Sequence, residues 1–260
     1  MGYKPVSLSE NVNVSQRMPL RSVLLMLGGL FVVLPALFLV IVLMVGAAAP
    51  YVPAAWERSM GDDLREELAV DALHNERATQ INRILDQLKP SLSEDDLRLN
   101  YLPLVIEDEM FNALALPGGT IVLFTGLLDN VQSDNEVAFV LAHELGHFHN
   151  RDHLRGMGVG YAVQLISLLL SGQQTGAEQL LMDGVGLMSL GYSRHQEKDA
   201  DLYALDMLDR AGFDLSGGIA FMERISEMDG RTHFAQYFST HPHSDERLLY
   251  LRKEMKRLHP

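Results

Sequence analysis

The strongest constraint on this chain is an apolar run near its start. Residues 22–49, SVLLMLGGLFVVLPALFLVIVLMVGAAA, contain no charged side chain over 28 residues. About 20 apolar residues are enough for a helix to cross a bilayer, so the run predicts one transmembrane helix that has the lipid bilayer as its partner. The small residues Ala47, Ala48 and Ala49 leave a cleaved signal peptide open, but its apolar region is usually only about 7–15 residues long, which favours a retained anchor.

The basic residues around this run predict its orientation. Arg17 and Arg21 come just before it, whereas Arg58 is the first basic residue after it. Because basic residues accumulate on the cytoplasmic side, we expect the N-terminus in the cytoplasm and the rest of the chain outside it, in the manner of a bacterial inner-membrane protein that faces the periplasm. The predicted parts are a cytoplasmic tail (1–21), a transmembrane anchor (22–49), a juxtamembrane linker (50–60) and one globular domain (61–260).

Composition excludes several classes of function. The 260 residues include no cysteine, so disulfides, thiolate metal sites and a cysteine nucleophile are impossible. The formal net charge of -13 argues against a nucleic-acid partner, which would require a basic surface for the phosphates.

The globular region predicts an α+β fold that is mainly helical, preceded by the transmembrane helix. Residues 61–89 have leucine and isoleucine near helical spacing, which predicts one long or two shorter helices. Residues 98–125 are rich in strand formers and are interrupted by Pro-Gly-Gly, which predicts two or three strands of a small antiparallel sheet. The apolar stretches 158–172 and 180–191 are short for membrane spans and predict a helical hairpin over the helix that contains residues 143–147. Whether this hairpin touches the bilayer stays open at this point.

The sequence HELGH occupies residues 143–147, in a helical pattern that Ser133 or Asp134 can cap. His143 and His147 are four residues apart and therefore lie on one helix face, with Glu144 beside them. This is the HExxH pattern, in which two imidazoles bind zinc and the glutamate is a general base toward water. The pattern predicts a catalytic zinc site.

A catalytic zinc site needs a third protein ligand, and the residues alone leave two candidates. His153 stands ten residues after His143, as in HExxHxxGxxH enzymes of the metzincin kind, but Asn150 replaces the glycine of that pattern. The alternative is Glu197, with Asp201 one helical turn later, where it can orient a histidine ligand through its second nitrogen.

The order of four segments resembles the HtpX-like and CAAX-prenyl-protease-like zinc metallopeptidases, the gluzincins of family M48. The segments are NALALPGGTIVLFTGLL, HELGHFHNRDH, YSRHQEKDADLYAL and STHPHSDERL, spread between residues 112 and 252. The resemblance implies one Zn²⁺ per chain. It also implies site residues: ligands His143, His147 and Glu197; base Glu144; second-sphere Asp201; site-wall residues His241 and Arg247; and a substrate-pairing edge strand at Asn112, Ala113, Leu114 and Ala115.

The same resemblance implies smaller roles for the other histidines and leaves one role open. It implies a structural role for His153, and we expect His149 to be a solvated surface residue. It places His241 within reach of the metal, either as a latch on the fourth zinc position or as a contact to the tetrahedral intermediate, and Arg247 against Asp201 or the developing oxyanion.

The sequence therefore predicts a membrane-anchored zinc endopeptidase with a zincin catalytic domain and polypeptide substrates. The resemblance implies quality control of envelope proteins, with membrane or envelope proteins as partners. Three alternatives stay open: a protease that uses His153 as third ligand, an inactive or weakly active metal-dependent chaperone or adaptor at the membrane, and a soluble secreted protease.

Overall fold

The computed structural model describes residues 19–160, 191–228, 237, 240–242 and 245–259. The chain divides into two compact units, Met1–Val40 and Ile41–Pro260. Residues 1–18 of the predicted cytoplasmic tail (1–21) and nearly all of the predicted hairpin at 158–172 and 180–191 lie outside the described residues.

Helix α1 spans Leu20–Ala48 and contains all but the last residue of the apolar run, with Pro35 inside it. A 3₁₀ turn, Ala49–Tyr51, follows directly. Twenty-nine helical residues extend about 43 Å, longer than the roughly 30 Å of a bilayer's hydrocarbon core. Among the described residues, Leu20–Tyr51 is the one helical stretch with the length and composition to cross a membrane.

Two helices separate the apolar helix from the sheet, as the pattern of residues 61–89 allowed. Helix α2 spans Ala54–Ala69 and so begins inside the stretch predicted as a linker. Helix α3 spans Glu76–Leu88 and is capped by Asn75, whose side chain accepts a hydrogen bond from the Ala78 amide. Its buried face consists of Ile81, Ile84, Leu85 and Leu88.

The sheet has three strands in the order β1–β3–β2: β1 is Leu102–Ile106, β2 is Ala113–Leu116 and β3 is Thr120–Phe124. The prediction of an antiparallel sheet is right for β2 and β3 but wrong for β1, which runs parallel to β3. The connection 107–112 crosses the end of β3, so β1 joins the far side of the hairpin. Strand propensity contains no information about that crossing.

Helix α4, Thr125–Leu128, leads to helix α5, Asp134–His149, which is the central helix of the domain. Ser133 caps α5 by accepting a hydrogen bond from the Glu136 amide, and 13 of its 16 residues are buried. The chain reverses at Arg151, which has a left-handed backbone with φ of 56°. Residues 152–160 are helical again.

Two of the remaining helices pack against α5: α6 is Arg194–Ala211 and α7 is Ser216–Met228. Helix α8, Asp245–Leu258, packs against α6 and α7. Helix α6 begins with a capping box between Ser193 and Gln196 and ends at Gly212, whose φ is 76°. The core between these helices and the sheet includes Phe139, Leu141, Phe148, Leu205, Leu208 and Phe221.

Candidate metal centre

The HExxH residues lie on the central helix α5 and are removed from solvent. His143 is 3% exposed, Glu144 1% and His147 0%. One helical turn separates the two histidines, and their Nε2 atoms lie 3.1 Å apart.

Glu197 comes from helix α6 and completes a cluster with these histidines. Its Oε1 lies 3.4 Å from His147 Nε2, and its Oε2 lies 3.7 Å from His143 Nε2. The two helices approach closely because Gly146 faces Ala200: a β-carbon at Gly146 would be 2.8 Å from Ala200 Cα. The absence of a side chain at Gly146 thus brings the carboxylate to the histidines.

His241 joins the cluster from the turn before α8, more than 90 residues after the HExxH helix. Its Nδ1 lies 3.1 Å from Glu197 Oε1 and 3.3 Å from His143 Nε2, and the side chain is fully buried. One donor atom from each of His143, His147, Glu197 and His241 lies within 4.8 Å of the others. The structure therefore brings His241 together with the three predicted ligands.

Each HExxH histidine has a carboxylate at its other ring nitrogen. His143 Nδ1 lies 2.9 Å from Asp201 Oδ1, as the second-sphere role predicted for Asp201 requires. His147 Nδ1 donates to Asp152 Oδ2 at 3.0 Å. Asp152 is fully buried, and sequence reasoning missed it. The only signal was an acidic residue just after the catalytic helix, which by itself does not distinguish a histidine's partner from a surface charge.

These contacts make the cluster suitable for a metal ion. A carboxylate beside Nδ1 favours a proton on that nitrogen, so Nε2 is the ring nitrogen of His143 and His147 that can bind a metal ion. His241 Nε2 is buried without a hydrogen-bond partner in the described part of the chain. A cation of the zinc type, which takes nitrogen and oxygen ligands, would satisfy converging acceptors of this kind.

The charges around the cluster favour a cation as well. Burial raises the pKa of Glu197, but His241 and Arg247 outweigh it and hold that pKa well below its ordinary value. Burial lowers the pKa of His147, yet Asp152 and Glu197 raise it to about 10. The cluster therefore draws in positive charge, which a proton or a metal ion can supply.

Arg247 on helix α8 binds both Asp201 and Glu197. Its Nε and one terminal nitrogen donate to the two oxygens of Asp201, both at 2.8 Å, and its other terminal nitrogen lies 2.6 Å from Glu197 Oε2. Tyr250 also donates to Asp201, at 2.5 Å. Burial raises the pKa of Asp201, but Arg247 and His143 lower it to about 2, so Asp201 is ionised.

Glu144 is beside the cluster but is not one of its converging donors. Its Oε1 lies 3.7 Å from His241 Nε2, and its Oε2 is buried with no hydrogen-bond partner in the described part of the chain. Tyr192, which sequence reasoning also missed, stacks on the His147 ring with a centroid distance of 3.7 Å. Glu144 Oε2 can accept a proton from a molecule bound at the cluster.

The other two histidines of the motif point elsewhere. His153 is fully buried, and its Nε2 donates to Glu57 Oε1 at 2.7 Å, so this nitrogen faces away from the cluster. His149 is exposed, as expected, but its Nδ1 lies 3.0 Å from the buried Asp96 and its ring stacks on Tyr203. The expectation of a merely solvated His149 was therefore incomplete.

The predicted substrate strand begins next to the His241 turn. Asn112 is buried, and its side-chain oxygen accepts hydrogen bonds from the Ala113 amide at 3.0 Å and from the Thr240 hydroxyl at 3.3 Å. Ala113, Leu114 and Ala115 belong to β2, which is an outer strand of the sheet. The contact with Thr240 connects β2 to the residue that precedes His241.

A comparison with known families agrees with this geometry. The profile of peptidase family M48 matches residues 75–255, well over half of the chain. The chain belongs to peptidase family M48. The matched range contains all of the converging donors as well as Glu144, Asp152, Asp201 and Arg247. Helices α1 and α2 precede it, so the family M48 profile does not cover them.

Named members of family M48 are similar to this chain over part of their length. The mitochondrial metalloendopeptidase OMA1 of Arabidopsis thaliana is 34% identical over 57% of this chain and 30% of that protein. The metalloprotease YcaL of Escherichia coli is 32% identical over 59% of this chain and 61% of YcaL. A protein of Vibrio cholerae named a putative beta-barrel assembly-enhancing protease is 27% identical over 69% and 40%. The chain thus covers less than two thirds of each of these relatives.

Proposed function

We propose that this chain is a membrane-anchored, zinc-dependent endopeptidase. The observation that carries the proposal is the buried Glu144 carboxylate, whose Oε2 has no hydrogen-bond partner in the described part of the chain, beside four converging donor atoms on a chain that belongs to a peptidase family. His143, His147 and Glu197 would hold the ion, with Asp152 and Asp201 orienting the two imidazoles. Zinc has no redox chemistry and suits this set of nitrogen and oxygen donors.

The chain's own residues supply the proton transfers of peptide hydrolysis. A bound zinc ion acts as a Lewis acid and makes water a stronger nucleophile near neutral pH. Glu144 accepts the proton of the attacking water at its free oxygen and later delivers it to the leaving amine. Asp201 and Arg247 hold His143 and Glu197 in place, so these groups need not reorganise during the reaction.

An extended peptide is the substrate form that the sheet favours. Among the described residues β2 pairs only with β3, so its second edge can add a strand. The contact of Asn112 with Thr240 supports a path for that strand past His241 and Glu144. We propose that Asn112, Ala113, Leu114 and Ala115 bind the substrate backbone in this way.

The charges around α1 support an anchor with its N-terminus in the cytoplasm and the catalytic domain outside, facing the periplasm. Arg17 and Arg21 precede the apolar run 22–49, and Arg58 is the first basic residue after it. One relative is named a beta-barrel assembly-enhancing protease, which supports envelope proteins as substrates or partners. A reporter fused after Pro260 should behave as extracytoplasmic, and cytoplasmic reporter activity would contradict this orientation.

Casein degradation by the detergent-purified full chain tests the peptidase proposal. Glu144→Gln keeps the shape of the side chain but cannot accept the proton, so it should keep zinc and lose at least about 10²–10⁴-fold in rate. Glu246→Gln, the same change at an exposed residue of α8, is the control and should match the natural chain. Equal proteolysis by Glu144→Gln and the natural chain, with contamination ruled out, would show that Glu144 is not the base. No casein degradation by the zinc-loaded natural chain would favour the metal-dependent adaptor.

A further inference from the structure

A buried hydrogen bond joins the first turn of α2 to the turn after the catalytic helix. Glu57 and His153 are both 0% exposed, and Glu57 Oε1 accepts a hydrogen bond from His153 Nε2 at 2.7 Å. Burial raises the pKa of Glu57, but the contact with His153 and the charges of Arg98 and Arg151 together lower it below its ordinary value, so the carboxylate is ionised. A buried carboxylate is costly unless it is paired, so this contact constrains where residue 153 can lie.

Arg151 is held from the same side. It has a left-handed backbone, which a non-glycine residue adopts only when its surroundings enforce it. One terminal nitrogen of its guanidinium donates to the Ala49 carbonyl at 3.2 Å and to the Val52 carbonyl at 2.5 Å. The same nitrogen lies 4.0 Å from Glu57 Oε2.

The residue between these two is Asp152, the hydrogen-bond acceptor of His147. Its Oδ2 accepts from His147 Nδ1 at 3.0 Å, and its Oδ1 accepts from Arg155 at 2.9 Å and Gln196 at 2.8 Å. Both chain neighbours of Asp152 are therefore held by residues 49–57, and Asp152 in turn orients a metal ligand.

Helix α2 is itself firmly seated against the sheet. Gly61 lies so close to the turn between β2 and β3 that a β-carbon there would meet the Pro117 carbonyl oxygen at 2.1 Å. Arg65 donates to the Thr120 hydroxyl at 2.9 Å and to the Gly118 carbonyl at 2.7 Å. These contacts fix the position of helix α2 and therefore that of Glu57.

We propose that Glu57 is a positioning residue for the metal centre, acting through His153 and Asp152 on His147. The juxtamembrane segment 49–57 then helps to orient a metal ligand, in addition to connecting the apolar helix to the catalytic domain. This segment lies outside residues 75–255, the range that the family profile matches. The inference rests on the proposed metal site, but its test needs no peptide substrate.

Metal binding by the metal-free full chain in detergent tests the proposal. Co²⁺ is titrated while its visible absorption is recorded, and Zn²⁺ affinity is then obtained by competition. Glu57→Ala should weaken binding about 10-fold, the lower end of the range for partners that orient ligands, and should change the Co²⁺ spectrum as Asp152→Asn does. Glu57→Gln should recover most of the affinity because its amide oxygen still accepts from His153 Nε2. Glu66→Ala, at an exposed glutamate of the same helix, should bind like the natural chain.

A double variant separates this role from a purely structural one. If Glu57 acts through Asp152, Glu57→Ala combined with Asp152→Asn should bind Co²⁺ about as tightly as Asp152→Asn alone. Additive losses, or unchanged metal affinity in Glu57→Ala despite a lower melting temperature, would overturn the proposal. If Glu57→Ala does not fold, Arg151→Gln takes its place, and its metal affinity should fall by the same amount. An unchanged metal affinity in Arg151→Gln would also overturn the proposal. A natural chain that binds no stoichiometric metal would instead contradict the proposed function.

Discussion

Gly146 on α5 faces Ala200 on α6 with no room for a side chain: a β-carbon at Gly146 would lie 2.8 Å from Ala200 Cα and 3.0 Å from its carbonyl oxygen. Because Glu197 is one turn before Ala200, this contact sets the distance from the carboxylate to the HExxH histidines. The close packing of α6 on α5 therefore explains why a glycine stands at position 146.

We expect Gly146→Ala to push α5 and α6 apart. Overpacking against backbone should cost about 1–3 kcal/mol of stability, more than the roughly 1 kcal/mol that alanine contributes to a helix, and zinc affinity should fall with it. Gly156→Ala is the matched control, because a β-carbon there meets nothing within 4 Å. Thermal unfolding and metal content should distinguish the two variants, and equal stability would show that the helices relax without cost.

Glu197→Gln should lose most of its zinc after dialysis. The amide keeps the size of the side chain but removes the negative charge that faces His143, His147 and Arg247. Metal content measured per folded chain should fall well below one ion, while Glu246→Gln keeps the natural value. Full zinc occupancy in Glu197→Gln would show that the carboxylate is not needed as third ligand.

His241→Ala should raise proteolytic turnover without lowering zinc content. The His241 imidazole is near enough to Glu197 and His143 to occupy the fourth zinc position that water needs, which would keep the enzyme latent. Initial rates on casein and metal content should be compared at equal folded concentration. Lower turnover at full zinc content would indicate instead that His241 contacts the reaction intermediate.

Acidification should lower the free energy of unfolding because it protonates Asp96. Burial raises the pKa of this carboxyl, but hydrogen bonds from His149, Ser93 and Tyr203 lower it to about 2, below the ordinary 3.8. A group with a depressed folded pKa stabilises the fold above its unfolded pKa, and that contribution is lost as pH falls from 3.8 toward 2. Two pKa units correspond to about 2–3 kcal/mol, an upper bound for this shift.

Thermal unfolding of the metal-free chain between pH 6 and pH 2 checks this expectation. The advantage of the natural chain over Asp96→Asn should be present at pH 6 and should shrink across the window below pH 3.8. A constant difference across the whole range would show that the charge of Asp96 does not contribute.

The sequence by itself determined the features that depend on neighbours within one helical turn. The apolar run predicted α1, and the capped HExxH pattern predicted a helix that presents His143 and His147 on one face. The spacing of Glu197 and Asp201 raised them as candidates, although only the family resemblance selected Glu197 over His153 as third ligand. These signals are local because a helix's periodicity and caps lie within the segment itself.

Only the tertiary structure decided which distant residues meet. The parallel pairing of β1 with β3, the hydrogen bond from His147 to Asp152 and the contact of Glu57 with His153 depend on how separate elements pack. Glu57 and Asp152 look like ordinary surface acids in the sequence, and burial is what turns each of them into an obligatory partner for a histidine. Chain segments far apart in sequence must fold together before such a charge is withdrawn from water, so no local pattern predicts it.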